Sequence, residues 1–177
     1  KQIKAWGAVW ASPSLEISGD KVQEMAKETP LPLEVVVAGP LCGIISDYCP
    51  VGSMVAGDAE NCTSPCQWDT YRLVDNLGQK YPLECDEQCR CYIYHPFELS
   101  LFTELPRLAP RISSVRIEGD GYPPEILGQV IDIYQSALAD ISRGRWNQQS
   151  NFYRLLDLFP HGLTKGAWEE PGADPGK

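Results

Sequence analysis

Leu33-Glu-Val-Val-Val-Ala-Gly-Pro-Leu-Cys42 is the stretch of sequence that decides the fold class. Its run of valines predicts a strand over 33–38 that is buried in a parallel sheet, because such strands read as near-continuous apolar runs. Gly39-Pro40 ends the strand, since proline has no amide hydrogen for sheet pairing. We therefore expect an α/β fold built around this strand.

Predicted helices and strands alternate on both sides of this strand. Before it, Ser18 is expected to cap a short helix with an apolar face at Val22, Met25 and Ala26. After it, the pattern predicts a hairpin of strands 70–74 and 80–83, a helix over 97–108, a buried strand over 112–117, a helix from Pro123-Pro124 to Gly144 and a helix over 148–159. This order favours the later strands and helices of a TIM-barrel-like domain.

The helix that begins at Pro123-Pro124 has the strongest helical periodicity in the chain. Its apolar side is predicted to consist of residues three and four positions apart, namely Leu127, Val130, Ile131, Tyr134, Ala137, Leu138 and Ile141. Gly144 follows the last of them and is placed to end the helix.

Composition narrows the class of protein. The chain has 177 residues, of which 43% are hydrophobic and 22% charged, as in globular domains. The sequence predicts no membrane-spanning segment and no leader peptide, and we expect a cytoplasmic location. A net charge of −9 disfavours an electrostatic clamp on nucleic acid, because phosphate binding relies on Lys and Arg. The chain starts with Lys1 rather than Met, so we expect it to be part of a longer protein.

Seven cysteines fall within a window of 50 residues, at positions 42, 49, 62, 66, 85, 89 and 91. Clustered thiolates are soft donors, and in a reducing compartment they indicate a metal or iron–sulfur site. Their spacing matches neither the ferredoxin motif nor a zinc ribbon. A four-cysteine zinc site, disulfides and free buried thiols stay open as alternatives.

Four motifs in order resemble the collagenase-like peptidase family. The first is Gly39-Pro-Leu-Cys42 at the end of a strand, followed by Cys49 and by Cys62-Thr-Ser-Pro-Cys66. Downstream, the segment Ile93-Tyr-His-Pro-Phe-Glu-Leu, the element Val115-Arg-Ile-Glu-Gly119 and the closing Gly162-Leu-Thr-Lys-Gly166 are similar to further family motifs. The similarity runs from about residue 15 to about residue 168.

The resemblance implies a fold and a division of the chain. The family's catalytic half is built like a TIM barrel, and this chain would correspond to its later strands. We expect a barrel segment over 1–40, a Cys-rich insert over 41–92, a closing barrel strand with helices over 93–168 and a loose tail over 169–177. The earlier half of the barrel, or a partner subunit, is the expected partner.

The resemblance also implies a cofactor and a reaction. Better-understood relatives are similar to oxygen-independent hydroxylases of RNA bases or quinone precursors, which carry a 4Fe–4S cluster. By match to the family, the cluster ligands would be Cys42, Cys49, Cys62 and Cys66, with Cys85, Cys89 or Cys91 as alternative ligands. Cations that the family commonly has are replaced, as at Tyr48, Gln67 and Asp120, and this puts binding of an anionic oxygen donor or of RNA in doubt.

Few other residues suggest chemistry. Glu118 ends a predicted barrel strand, where barrel enzymes place catalytic groups, and it is the candidate catalytic residue, with an ion pair to Arg116 or Arg143 as the alternative. Glu98 is interpreted as a helix-start carboxylate. The histidines are His95 and His161, and His95, which precedes Pro96 near the cysteines, is interpreted as a surface or capping residue, with a metal ligand or proton relay as the alternative.

Three functions therefore stay open. The leading hypothesis is an iron–sulfur protein that takes part in oxygen-independent hydroxylation. The second is a peptidase, as the family name implies, although the sequence has no His-Glu-x-x-His and no Gly-x-Ser-x-Gly motif. The third is a metal-stabilised module that docks a partner subunit.

Overall fold

A computed structural model describes residues 2–57, 62–146 and 149–169. Helices and β-sheets alternate in it, so the predicted mixed α/β class is confirmed. The described residues fall into two compact units, one from the stretches before Pro40 and after Phe97 and one from the residues between them. No helix in the described part of the chain is long and apolar enough to cross a membrane.

Among its described residues, the first unit has five α-helices and a four-stranded sheet. Its elements are α1 (Gln2–Ala5), α2 (Gly19–Glu28), β1 (Glu34–Gly39), β6 (Glu98–Ser100), α4 (Leu105–Leu108), β7 (Ser114–Ile117), α5 (Pro124–Ser142), α6 (Gln149–Leu158) and β8 (Leu163–Thr164). The second unit holds β2 (Cys42–Ser46), α3 (Pro50–Met54), β3 (Tyr71–Val74), β4 (Lys80–Cys85) and β5 (Cys91–Tyr94).

Strand β1 lies inside the sheet of the first unit, whose strand order is β7-β1-β6-β8. The valine run is buried as predicted, and Val37 has no exposed surface. The sheet is mixed rather than parallel, which corrects the expectation for this strand. Strand β1 is parallel to β7 and antiparallel to β6, so neighbours pair with both of its edges.

The expected helix over 97–108 is wrong in its first half. Residues Glu98–Ser100 form β6, and only Leu105–Leu108 is α-helical. The reason is tertiary: β6 pairs with β1 on one side and with β8 on the other, while Leu99 and Ser100 are buried. Pairing on both edges outweighs the local preference for a helix.

The long helix and the hairpin agree with the sequence pattern. Helix α5 begins at Pro124, and Gly144 with φ +68° follows its end. Its buried side chains are Val130, Ile133, Tyr134 and Ala137. The predicted face therefore missed Ile133, and its members Leu127, Ile131, Leu138 and Ile141 are half-buried. The expected start of α6 at Gln148 and the expected tail beyond Glu169 lie outside the described residues.

Tyr134 ties α5 to the sheet of the first unit. Its side chain is 1% exposed, its hydroxyl donates to the backbone oxygen of Val37 at 2.9 Å, and it shares a second hydrogen bond of 3.0 Å with Ser100. The ring of Phe102 packs edge-on against it at 5.7 Å between centroids. One phenol therefore satisfies polar groups of two neighbouring strands.

We expect Tyr134→Phe to lower the free energy of unfolding by about 1–3 kcal/mol, because it leaves the buried Val37 carbonyl and Ser100 hydroxyl without this partner. Urea titration followed by far-UV circular dichroism measures the change. Tyr153→Phe on α6 is the matched control, since that side chain is exposed and should shift stability by less than about 0.5 kcal/mol. Equal effects of the two variants would contradict the role given to Tyr134.

Candidate metal centre

The second unit places two cysteines side by side at the end of a hairpin. Its sheet has the order β2-β5-β4-β3, and Cys85 at the end of β4 pairs with Cys91 at the start of β5. Between them, Asp86 accepts hydrogen bonds from the backbone of Gln88 and Arg90 and closes the turn. Cys91 is fully buried and packs with Val51 and Leu83.

Two further thiols come from the segment that follows β2. Cys49 precedes α3, and its Sγ accepts the Gly52 amide at 3.2 Å. Cys62 accepts the Ser64 amide at 3.4 Å. A β-carbon placed on Gly52 would stand 3.5 Å from the Sγ of Cys49 and 3.7 Å from the Sγ of Cys62, so the two sulfurs are close neighbours. Backbone donors thus hold both sulfurs.

Cys66 joins the same group. It lies in a short 3-10 turn, Pro65–Gln67, and packs against the Val51–Leu83–Cys91 cluster together with Cys49 and Cys85. Burial, followed by the negative charges of the Cys49, Cys62 and Cys89 thiolates, raises the pKa of the Cys66 thiol. A thiol with this pKa shift gains from a cation, because a metal ion favours the deprotonated sulfur.

Three sulfurs of this group are close enough to share one ion. The Sγ atoms of Cys49, Cys85 and Cys91 lie within 4.8 Å of one another, with Cys49 and Cys85 3.9 Å apart. Cys85 and Cys91 are joined as a disulfide, while Cys49, Cys62 and Cys66 are free thiols. The cysteine group could hold a metal ion, and sulfur donors favour zinc, copper(I) or an iron–sulfur cluster over calcium or magnesium.

Cys42 lies apart from this group. It pairs with Tyr94, whereas Cys91 stands three residues before Tyr94 on the same strand, so the two cysteines face opposite sides of the sheet. An irregularity in the register between Cys42 and Ile44 sets this orientation. Burial and then the charges of Glu84 and Cys42 raise the pKa of Tyr94 to about 12, which places Cys42 near the Glu84–Tyr94 side.

The structure thus brings together three of the four family-matched cysteines, Cys49, Cys62 and Cys66, and adds Cys85 and Cys91. Cys89 is exposed in the turn between β4 and β5. Two backbone amides that sequence reasoning missed support two of these sulfurs: Ser64 donates to Cys62, and Gly52 donates to Cys49. The signal for Gly52 was its position three residues after Cys49 at the start of a helix that Pro50 opens.

In the first unit, Glu118 forms an ion pair. Arg116 donates to its carboxylate at 2.6 Å, and the backbone amide of Glu118 donates to the Ala38 oxygen at 2.9 Å. Gly39 has φ +140°, and a β-carbon there would overlap the Glu118 backbone, so glycine allows this close approach. This ion pair with Arg116 agrees with the alternative interpretation of Glu118 as a residue that stabilises the structure. A catalytic role for Glu118 stays a prediction.

A second carboxylate of this unit has more partners. Glu98 accepts the Tyr122 hydroxyl at 2.7 Å, and its other oxygen lies 3.8 Å from Nε2 of His161. The ring of Phe159 packs against the rings of Tyr122 and His161. Burial, then the hydrogen bond to Glu98 and its charge, raises the pKa of Tyr122. Glu98 is in a strand, so its expected role at a helix start is wrong.

Tyr122→Phe is expected to lower the free energy of unfolding by about 1.5–3 kcal/mol at pH 7, because the Glu98 carboxylate loses a donor. The unfolded phenol ionises from about pH 10 upward, whereas the folded one keeps its proton. The contribution of Tyr122 is therefore complete below pH 10 and is lost as the pH rises above it. Urea titrations at pH 7 and above pH 10 should show the gap between wild type and variant shrink; a constant gap would contradict the assignment.

Comparison with known proteins agrees with the resemblance of the motifs. The model of Peptidase family U32 matches residues 4–173. A Methanocaldococcus jannaschii protein that carries the name "uncharacterized protease" is 24% identical over an alignment of 160 residues, and the alignment covers 86% of this chain and 37% of that protein. The chain thus spans little more than a third of the length of this curated relative. No solved structure matches. The chain belongs to peptidase family U32.

Proposed function

We propose that the second unit holds an iron–sulfur cluster and that the whole protein is an oxygen-independent hydroxylase. The observation that supports the proposal is the convergence of Cys49, Cys66 and Cys85 around the buried Cys91, with the sulfur of Cys62 beside Gly52. A module stabilised by one disulfide needs two cysteines only. Here three further cysteines, Cys49, Cys62 and Cys66, are free thiols. Such a group is typical of a metal centre.

The donor set fits the cluster by its chemistry. The donors are sulfurs, and the nearest amides, of Gly52 and Ser64, point at sulfur, as hydrogen bonds that tune an iron–sulfur cluster do. We assign three ligand positions to Cys49, Cys62 and Cys66 and the fourth to Cys85. Cys42, the fourth ligand in the family match, would reach this face only if the irregular register beside Gly43 became regular.

The cluster would supply one-electron transfer to the reaction when bound. The residues of this chain would hold it and keep it partly buried, as the intermediate exposure of Cys49, Cys62 and Cys66 favours. The substrate class, an RNA base or a quinone precursor, follows from the family resemblance alone. Peptidase activity is the alternative, and it is supported by the family description and by the name of the relative.

The remaining expectations are proposals of the same kind. The first unit would correspond to the later strands of a TIM-barrel-like domain, and the stretch 41–92 to its Cys-rich insert. The earlier strands of the barrel, or a partner subunit, would complete the substrate site. A cytoplasmic location would keep the thiols reduced.

The test is the content of iron, zinc and acid-labile sulfide in protein purified without oxygen. We expect about four iron and four sulfide per chain, as in a 4Fe–4S cluster. Cys66→Ala should lose most of the iron, because it removes one of the four assigned sulfur ligands. Cys42→Ala, the matched control on the other side of the sheet, should keep it.

Zinc without sulfide, or no metal in the wild type, would contradict the cluster. If Cys42→Ala loses its iron and Cys85→Ala keeps all of it, the fourth ligand is Cys42 rather than Cys85. Given the cluster and the anionic oxygen donor that the family resemblance implies, the whole protein should transfer one oxygen atom from that donor to RNA bases or to a quinone-precursor ring without molecular oxygen. Cleavage of peptides by metal-free protein would instead support the peptidase.

A further inference from the structure

The disulfide of the second unit occupies a position that the sheet prepares for it. Just beyond the last strand pair, the amide of Asp86 donates to the Arg90 oxygen at 2.9 Å, and this bond flanks the pair Cys85–Cys91 rather than joining it. Cys85 and Cys91 are therefore a pair of the non-hydrogen-bonded type with the closer side chains. Their Cα atoms are 4.2 Å apart. Hairpin geometry alone therefore brings these two sulfurs together.

The same two sulfurs belong to the candidate metal centre. Cys85 and Cys91 share the group of three with Cys49, and the Sγ of Cys85 is 3.9 Å from that of Cys49. A sulfur in a disulfide has no thiolate to offer a metal. We propose that the Cys85–Cys91 disulfide is a redox latch on the metal centre, an inference that rests on the proposed function. While the disulfide is intact, Cys85 cannot act as the fourth ligand. After reduction, the Cys85 thiolate is available to the metal.

Exposure decides which sulfur a reductant reaches. Cys85 is partly exposed, whereas Cys91 has no accessible surface. A thiolate of an external dithiol attacks Sγ of Cys85, the Cys85–Cys91 bond breaks, and Cys91 leaves as a thiolate that takes up a proton. The second thiol of the dithiol then attacks the mixed disulfide and releases Cys85. The dithiol is oxidised by two electrons, and two protein thiols are gained.

Of the five free cysteines, Cys42 and Cys89 are exposed and do not pack against the Val51–Leu83–Cys91 cluster. Cys42 faces the opposite side of the sheet, and Cys89 lies in the turn with φ +61°. With the disulfide intact, the thiols left to the centre are therefore Cys49, Cys62 and Cys66. Three thiolates leave one position of a tetrahedral site open, so affinity falls.

Cobalt(II) alone is the probe, because its thiolate charge-transfer absorption reports sulfur ligation and no sulfide is present to cleave the disulfide. The chain is purified in air, peptide mapping identifies the Cys85–Cys91 link, and half of the sample is reduced with a dithiol and desalted under argon. Reduced protein should bind cobalt at least about tenfold more tightly than oxidised protein. Cobalt should protect Cys85 of the reduced protein from alkylation.

Cys42→Ser is the matched control and should show the same dependence on reduction. Circular dichroism of both forms should coincide, so that a lower affinity reflects a withheld ligand rather than unfolding. Equal cobalt affinity of the oxidised and reduced wild type, or free Cys85 and Cys91 after purification in air, would overturn the latch alone. Failure of the reduced protein to bind cobalt would overturn the thiolate centre on which the latch depends.

Discussion

The alternation of side chains along β4 and β5 is the constraint on which the cysteine group depends. Residues two apart share a face of a strand, and cross-strand pairs share it too. Cys85, Cys91 and Leu83 therefore meet on the side where Val51, Cys49 and Cys66 pack. The irregular register between Cys42 and Ile44 shifts the start of β2 by one residue and turns Cys42 to the opposite side. A shift of one residue in the register of β2 thus decides whether Cys42 lies on the same side of the sheet as the other cysteines.

The first unit depends on β1 in a comparable way. Its valine run fills the interior, and its backbone pairs with β6 and β7. The Tyr134 hydroxyl donates a hydrogen bond to the Val37 backbone oxygen, and this bond holds α5 against the sheet. Glu98 lies on β6 of the same sheet, so its contacts with Tyr122 and His161 depend on where that strand is held. The packing around β1 therefore positions these polar contacts.

Sequence reasoning succeeded where the signal was local. The valine run predicted β1, the Asp75-Asn76-Leu77-Gly78 turn predicted the β3–β4 hairpin, and Pro124 with Gly144 bounded α5. It failed at β6, because that strand forms through pairing with residues distant in sequence. The cysteine window was visible from spacing, but the side of the sheet that each sulfur faces depends on register. No local pattern predicts the irregular register beside Gly43. The barrel, the domain boundaries and the ligand set stay predictions.

The central claim is that cysteines of the second unit form an iron centre with sulfur ligands only. Iron K-edge X-ray absorption on protein purified without oxygen tests it most directly, because the first coordination shell identifies the donor atoms. The account predicts a shell of sulfur alone, with iron neighbours beyond it as in a cluster. Nitrogen or oxygen donors in that shell, or an absence of bound iron, would contradict the claim.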